Sequence, residues 1–306
     1  MLIGILAGLA TCALWGLTFV APRAVAPFTT WDLTIARYGI FGLACLLLMF
    51  DRRFRPTGLS NARIVAGLLL GGVGYVGYFV FAAHAVTLAG AAIPPLVVGI
   101  MPVVTAMIAN RREKVSKWSA LAWPLAMIFA GLLSVNVAAL ASAPAVARQD
   151  ILFGTVMAII ALVIWVAYGL VNAAIMRSPD APDGLRWTGV QGIGSALGGL
   201  LLLPLASFDN TSADIRPFLA WALIMGLAGS WLATFFWVIA SRRLPLTLAA
   251  QLIVAETVFG LFYGFLYEGR WPTAVEVTGC TLQLIGVALG IRAMIRSAPV
   301  QARACL

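Results

Sequence analysis

The chain has very few charged or metal-binding side chains for its length. Only 10% of its 306 residues are charged, and it contains one His and four Cys. It has no CxxC, HExxH, GxxxxGK[ST] or GxSxG motif, so it offers no metal-ligand pair, phosphate-binding loop or nucleophile elbow. We therefore predict no metal, no cofactor and no enzymatic activity. Transport driven by ATP would need a separate subunit.

Long apolar runs make up most of the chain instead. Hydrophobic residues account for 62% of it, with a mean hydropathy of +1.00, more than a soluble domain of this size buries. The runs are about 20 residues long, which is the length of helix that crosses roughly 30 Å of hydrocarbon. Backbone groups in lipid must be satisfied within the segment, which favours helices. The predicted fold is an all-α membrane protein whose ten transmembrane helices cover residues 3–20, 30–50, 62–88, 92–110, 118–137, 151–176, 185–205, 217–241, 246–266 and 274–295.

The excess of basic residues follows the predicted topology. Of the 20 Lys and Arg residues, 15 lie in alternate connections or the C-terminal tail or within four residues of them, four lie in the opposite connections, and Arg37 lies deeper inside a span. Such asymmetry is typical of the positive-inside rule, so both termini are predicted to be cytoplasmic. The basic charge is thus explained without nucleic acid, which we do not expect as a partner. Residues 1–4 carry no Lys or Arg, so the first span does not resemble a cleaved signal peptide.

The second half of the chain repeats the first at an offset of 155 residues. The coincident pairs include Gly71 with Gly226, Gly74 with Gly229, Phe81 with Phe236, Glu113 with Glu268 and Gly131 with Gly286. A repeat of five spans crosses the membrane an odd number of times, so the second copy must be inverted, as in many secondary transporters. We predict repeats at 1–137 and 151–295 around a central cavity, a linker at 138–150 and a cytoplasmic tail at 296–306.

Short motifs give the chain a resemblance to the drug/metabolite transporter superfamily, with two EamA-type halves. The resemblance covers nearly the whole chain. The chain departs from the family pattern at Thr257, because family members usually have a Pro after the Glu that corresponds to Glu256. The matching positions are Trp15, Gly16 and Phe19 in the first span, Arg37 in the second, Met101-Pro102-Val103, Glu113 and Gly131 in the first half, and Glu256, Glu268 and Gly286 in the second.

This resemblance implies a secondary transporter of the bacterial inner membrane that exports small metabolites by alternating access. Within the superfamily the chain is most similar to the YddG-type exporters, which implies amino acids as substrates, aromatic ones first. Two alternatives stay open: a same-fold exporter of another metabolite or drug, and a passive channel. The expected partners are a small-molecule substrate and membrane lipid. The oligomeric state is open, and a monomer is compatible with the sequence.

Aromatic residues well inside the spans are the main candidates for contacting substrate. Tyr and Trp usually gather at the membrane interfaces, whereas rings at depth could wall a pocket for a flat ligand. Packing in the core or against lipid is the alternative for each of them. The candidates are Trp15, Phe19, Tyr75, Tyr78, Phe79, Trp165, Tyr168 and Trp237.

Ionisable residues at membrane depth are the second group of candidates, because burying them is costly unless they are paired. Glu256 could carry a proton for coupling or bind a substrate amino group, or it could be a structural carboxylate. His84 could line a gate or be a core residue. Arg37 could bind a carboxylate or anchor helices. Met101 and Gln251 complete the predicted substrate-binding set.

Prolines identify the span 92–110 as a candidate moving element. Pro94, Pro95 and Pro102 each remove a helical hydrogen bond, and freed carbonyls at depth are tolerated only against protein or a water-lined cavity. We predict that Pro102 takes part in gating, with a simple structural kink as the alternative. Glu113 and Glu268 are interpreted as structural residues at helix ends.

Overall fold

The structure, a computed structural model, describes residues 1–113, 118–207, 215–244 and 252–297. Within these ranges it contains no strand and eleven helices of six or more residues. They are α1 Leu2–Gly16, α2 Thr30–Leu48, α3 Asn61–Ala89, α4 Ile93–Val98, α5 Met101–Glu113, α6 Trp118–Ser142, α7 Ala145–Met176, α8 Gly184–Leu200, α9 Ile215–Arg243, α10 Val254–Glu268 and α11 Ala274–Ser297.

Seven of these helical stretches are long and apolar enough to cross a membrane, and they support the prediction of a multi-pass membrane protein. They cover Leu2–Phe19, Thr30–Leu48, Asn61–Ala89, Trp118–Ser142, Ala145–Met176, Ile215–Arg243 and Ala274–Ala293. The other three predicted crossings are shorter here. One is divided between α4 and α5, α8 has 17 residues, and α10 has 15 residues and follows the undescribed segment 245–251.

Polar side chains at the boundaries start several of the helices. Thr29 and Asp32 form a capping box at the start of α2, in which the Asp32 N–H donates to Thr29 Oγ1 at 3.2 Å and the Thr29 N–H donates to Asp32 Oδ2 at 2.8 Å. Ser60 caps α3 and Asp183 caps α8 through their side-chain oxygens. These short polar residues therefore fix the positions at which the three helices begin.

Two π-helical segments interrupt α3 and α9, at Leu70–Gly77 and Ile224–Leu232. They occupy matching positions in the two halves to within one residue of the 155-residue offset. Gly71 packs so closely on α8 that a Cβ there would overlap the Gln191 carbonyl. Such wide turns are uncommon and occur often at functional sites, so these segments mark where to look for one.

Helices from the two halves pack against each other in matching pairs. The largest contacts join α6 with α11, α3 with both α7 and α8, α2 with α8, and α1 with α9. In addition, α1 packs on α10, and α7 packs on α4. Thus α1 and α7 each contact two helices of the other half, so both halves surround the space between α1 and α7.

The span predicted at 92–110 is broken rather than merely kinked. α4 ends at Val98 and α5 begins at Met101, with Gly99 and Ile100 between them. The break frees the Leu96 carbonyl, which accepts a hydrogen bond from Nε2 of the buried Gln283 on α11. A second helix thus satisfies the backbone at the interruption, as is required at membrane depth.

The segment 138–150, expected to be a linker, is largely helical. α6 continues to Ser142 and α7 starts at Ala145, which leaves only Ala143 and Pro144 between them. Alanine is the strongest helix former, and this segment is rich in it. The alanine-rich segment that was expected to be a linker therefore extends both neighbouring helices.

Candidate functional site

A cavity lies between the two halves, with about 440 Å³ of empty space that includes its opening to solvent. Side chains of α1, α2, α3, α7, α9 and α10 reach it. Its lining residues are Trp15, Thr18, Arg37, Tyr38, Phe41, Tyr75, Tyr78, Trp165, Gly229, Ser230, Thr234 and Glu256.

Trp165 on α7 is the centre of the aromatic wall of this cavity. Its ring stacks on Tyr78 with 4.7 Å between centroids and on Tyr168 with 4.8 Å. Trp15 meets it edge-on at 6.3 Å, and Trp237 packs behind Trp15 at 5.9 Å. These rings hold one another by stacked and edge-to-face contacts, so the wall is largely preformed.

Arg37 brings a positive charge to the cavity and is held by helices α1 and α9. Its Nε donates to Ser230 Oγ at 3.0 Å, Nη2 donates to the Gly229 carbonyl at 3.4 Å, and Nη1 lies 3.5 Å from Thr18 Oγ1. The π-helical segment of α9 presents both Gly229 and Ser230. The guanidinium is therefore fixed in place by neutral groups.

The same guanidinium lies over the ring of Phe79, with 4.3 Å from Cζ to the centroid, and 5.2 Å from that of Tyr38. Arg37 is only 6% exposed. Among the residues that the structure describes, no carboxylate forms an ion pair with it. Its three hydrogen bonds leave two of the five N–H donors of an arginine free.

Glu256 brings a negative charge to the same cavity. It lies in the first turn of α10 and is 9% exposed. No described residue donates a hydrogen bond to its carboxyl group or forms an ion pair with it. A carboxyl group so far from water is costly to ionise without a partner, so this site is incomplete as it stands.

A second, smaller cavity of about 270 Å³ adjoins the first at the break between α4 and α5. Trp165 and Glu256 line both cavities. Gly99, at the break, packs so closely on Thr257 that a Cβ there would overlap the threonine hydroxyl. The lining residues are Phe19, Pro95, Val98, Gly99, Met101, Pro102, Trp165, Ile253, Glu256 and Thr257.

A chain of hydrogen bonds leads away from the cavity towards the start of α8. Tyr75 Oη donates to Gln191 Oε1 at 2.7 Å, and Tyr168 Oη donates to Tyr75 Oη at 2.9 Å. Gln191 Nε2 and Trp187 Nε1 both donate to Asn172 Oδ1, at 3.0 and 2.7 Å. The hydroxyls of Tyr75 and Tyr168 are therefore already occupied. Tyr75 lines the cavity, whereas Tyr168 packs on Trp165 and is not a lining residue.

Four of the candidate residues line neither cavity: Phe79, His84, Tyr168 and Trp237. Phe79 is fully buried behind Arg37, and Trp237 lies behind Trp15. The Nδ1 of His84 lies 2.8 Å from the Val80 carbonyl, its Nε2 lies 2.9 Å from Thr30 Oγ1, and its ring packs on Trp31 at 4.7 Å. Gln251 lies outside the described residues.

Helix α2 also contributes to the cavity. Arg37, Tyr38 and Phe41 all reach it. Arg37 and Phe41 are one turn apart, so they share a helix face. The pattern of a lone charge with aromatic residues one and four positions later could have identified α2. Thr18, Gly229, Ser230 and Thr234 carried no such signal.

Ionic contacts lie at both ends of the helix bundle. At one end Glu268 contacts Arg23 and Arg270, and Arg270 also binds Glu276. At the other end Arg63 contacts Asp180 at 2.8 Å and Arg242 contacts Asp183 at 2.9 Å. Hydrogen bonds from the Arg63 guanidinium lower the pKa of Asp180 from 3.8 to about 2. The cavity thus lies between two polar ends tied across helices.

The described residues contain no group of three or more His, Cys, Asp or Glu that could hold a metal ion. The three cysteines they include, Cys12, Cys45 and Cys280, are buried and free. The cavity offers aromatic faces, hydrogen-bonding groups and two charged side chains for binding.

Comparison with known proteins agrees with a membrane transporter. The model of the EamA-like transporter family matches residues 2–137 and 152–292. The chain is similar to the inner membrane protein YtfF of Escherichia coli (strain K12), with 29% identity over 308 residues and 96% of each chain covered. A crystal structure of a protein 19% identical shares the fold, with a TM-score of 0.62 and coverage of 94% of this chain and 96% of that chain. With both of its halves matched by the family model, the chain belongs to the EamA-like transporter family, and hence to the drug/metabolite transporters.

Proposed function

We propose that this protein is a secondary transporter that exports amino acids, aromatic ones first, by alternating access. The observation that carries the proposal is the cavity between the halves, which Trp15, Tyr78 and Trp165 line together with Arg37 and Glu256. Aromatic walls suit flat ligands through offset stacking. Membership of a transporter family favours transport over catalysis. The resemblance to YddG-type exporters supports the same substrate class and stays a prediction.

The proposed architecture is ten transmembrane helices in two inverted repeats. Three features support it: the π-helical segments at matching positions, the reciprocal packing of α1 and α7, and interruptions that precede both α5 and α10. The turn at Ile253 lies 155 residues after Val98, where α4 ends. Discontinuous helices near the centre of inverted repeats commonly form transporter sites.

We place the protein in the bacterial inner membrane, in line with the name of its Escherichia coli relative. The end that carries Arg63, Arg186 and Arg242 is proposed to face the cytoplasm, because most of the basic connections belong to it. Both termini would then be cytoplasmic. The end that carries Arg23 and Arg270 would face outwards.

Counterflow in liposomes tests the proposed function. Purified protein is reconstituted with unlabelled tryptophan inside, and uptake of labelled tryptophan is followed with and without a panel of competitors. We expect saturable counterflow that phenylalanine and tyrosine inhibit more strongly than leucine or alanine. Inhibition by an unrelated metabolite or drug alone would indicate a different substrate, and flux that never saturates would indicate a passive channel.

A further inference from the structure

We propose that Arg37 and Glu256 together recognise the zwitterionic head group of an α-amino acid, with the carboxylate on Arg37 and the ammonium group on Glu256. The inference rests on the proposed function and deepens it, because it assigns the specificity for the head group to two residues. Three polar side chains that line one cavity carry the inference: Arg37 and Glu256, which form no ion pair in the described part of the chain, and Tyr78, whose hydroxyl has no hydrogen-bond partner there.

The first observation is that a buried cation and a buried anion line the same cavity, and neither is paired. Arg37 is 6% exposed and Glu256 is 9% exposed, and both contribute to the wall of the 440 Å³ cavity. The charges of Arg37 and Glu256 attract each other, but neither residue forms an ion pair within the described part of the chain. A buried charge without a contacting counterion is expensive, so a ligand that carries both signs would supply a contacting partner to each residue.

The second observation is that Arg37 is held ready for an anion. Ser230, Gly229 and Thr18 fix the guanidinium from one side with neutral oxygens, and Phe79 supports its face. None of these contacts neutralises its charge. The planar fork with two free N–H donors matches the two oxygens of a carboxylate.

The third observation is the hydroxyl of Tyr78, which is buried without a hydrogen-bond partner. Tyr78 is 8% exposed and lines the cavity beside Trp165. A buried hydroxyl without a partner is costly, and its position next to both charged residues suits a hydrogen bond to the head group. The side chain of the amino acid would then lie along the ring of Trp165.

The arrangement also links the two halves through the substrate. Arg37 belongs to α2 in the first half, whereas Glu256 belongs to α10 in the second half. A zwitterion held by both would bind best in the state that brings these helices to the right separation. Differential binding of this kind is what shifts a conformational equilibrium. A ligand with only one charge would lack that link.

Binding measurements with three related ligands test the inference. Tryptophan carries both charges, tryptamine lacks the carboxylate and indole-3-propionate lacks the ammonium group. Dissociation constants are measured for each by titration of the purified full-length protein in detergent. We expect both analogues to bind the wild type at least about 100-fold more weakly than tryptophan, since a site built for a polar group rejects ligands without it. Equal binding of all three would overturn the proposal while leaving export of aromatic compounds intact.

The variants then assign each charge. Arg37→Gln should remove the preference for tryptophan over tryptamine and keep the preference for tryptophan over indole-3-propionate. Glu256→Gln should remove the preference over indole-3-propionate and keep the preference over tryptamine. Tyr78→Phe should weaken tryptophan binding about 10-fold. Exposed residues at the membrane surface provide controls: Asp51→Asn and Arg148→Gln should leave all three constants unchanged. An equal loss for every ligand in Arg37→Gln, or an unaltered preference, would contradict the assignment.

Two further results keep the proposals separate. Wild-type protein that neither binds nor exchanges any amino acid would overturn the proposed function itself, before any variant is made. If Arg37→Gln or Glu256→Gln does not fold, Arg37→Lys and Glu256→Asp replace them, and the comparison of ligands on the wild type decides the question without variants.

Discussion

Arg23 and Glu268 form an ion pair in which Nη1 and Oε1 are 2.5 Å apart. It joins the short helical turn that follows α1 to the last residue of α10. Glu268 also accepts the backbone N–H of Ala91 at 3.2 Å and pairs with Arg270 at 2.7 Å. One carboxylate thus ties three connections together at one end of the bundle. Glu268 is a helix-end residue, as the sequence indicated, but with partners from three parts of the chain.

We expect Glu268→Gln to loosen this end, because it removes the negative charge that holds Arg23 and Arg270 together. A cysteine at Thr18, in protein without native cysteines, reports access to the cavity. Its rate of labelling by an impermeant reagent from the Arg23 end should rise about 3- to 10-fold, as partly exposed ion pairs contribute up to ~1 kcal/mol each. Asp180→Asn at the other end is the control and should not change this rate. An unchanged rate in Glu268→Gln would show that the pair does not close this end.

The Arg63–Asp180 pair is expected to persist over the physiological pH range. Hydrogen bonds from Arg63 lower the pKa of Asp180 from 3.8 to about 2. A carboxyl group whose pKa is lower in the folded state than in the unfolded state stabilises the fold at pH values above its unfolded-state pKa. That stabilisation is lost as the pH falls through the folded-state pKa. The difference in thermal midpoint between wild type and Asp180→Asn should stay constant from pH 8 to pH 5 and shrink towards pH 2. A difference that already disappears near pH 6 would contradict the assignment.

Glu256 is predicted to carry the proton if transport is coupled to a proton gradient. At saturating substrate, Glu256→Gln should still exchange tryptophan in liposomes, but an imposed pH gradient should no longer accelerate net transport. Glu276→Gln, a carboxylate at the outer end of the bundle, is the control and should keep the acceleration. A Glu256→Gln protein that still responds to the gradient would exclude the coupling role and leave substrate binding as the function of this residue.

Removal of the central ring should cost more for aromatic substrates than for aliphatic ones. Trp165→Ala deletes stacking worth about 0.5–1.5 kcal/mol per ring pair, so the inhibition constant for phenylalanine should rise about 3- to 10-fold more than that for leucine. Trp123→Ala, in which the lost ring is 71% exposed on the membrane face, is the matched control. An equal rise for both amino acids would assign Trp165 to packing alone.

The topology is predicted to place the N-terminal end of α3 and the C-terminal end of α6 on opposite sides of the membrane. Single cysteines at Ser60 and Ser142, at the ends of α3 and α6, should be labelled from the cytoplasmic and the outer side respectively. The reagent is applied to intact cells and to inside-out vesicles. Labelling of both positions from one side would rule out the predicted arrangement.

The sequence by itself determined that the chain forms apolar helices in a membrane, since hydrocarbon demands long runs without charge and full backbone pairing. It also identified the glycine-rich stretches that become π-helical at Leu70–Gly77 and Ile224–Leu232 as special, through their 155-residue offset. Glu256 and Trp165 could be selected because polar or aromatic groups are conspicuous against an apolar background. These inferences depend on local chemistry alone.

Only the tertiary structure decided which helix faces meet. On a helix that is apolar all round, periodicity gives no direction for the core, so the sequence marked Arg37 as a candidate without showing which helices it meets. The same limit applies to Tyr75 and Tyr168, whose hydroxyls are taken up by Gln191 from another helix. The break at Gly99 likewise depends on Gln283, a partner 187 residues away from Leu96 in the chain. Long-range packing, which no local pattern encodes, brought Arg37, Glu256 and the Tyr78 hydroxyl to one cavity.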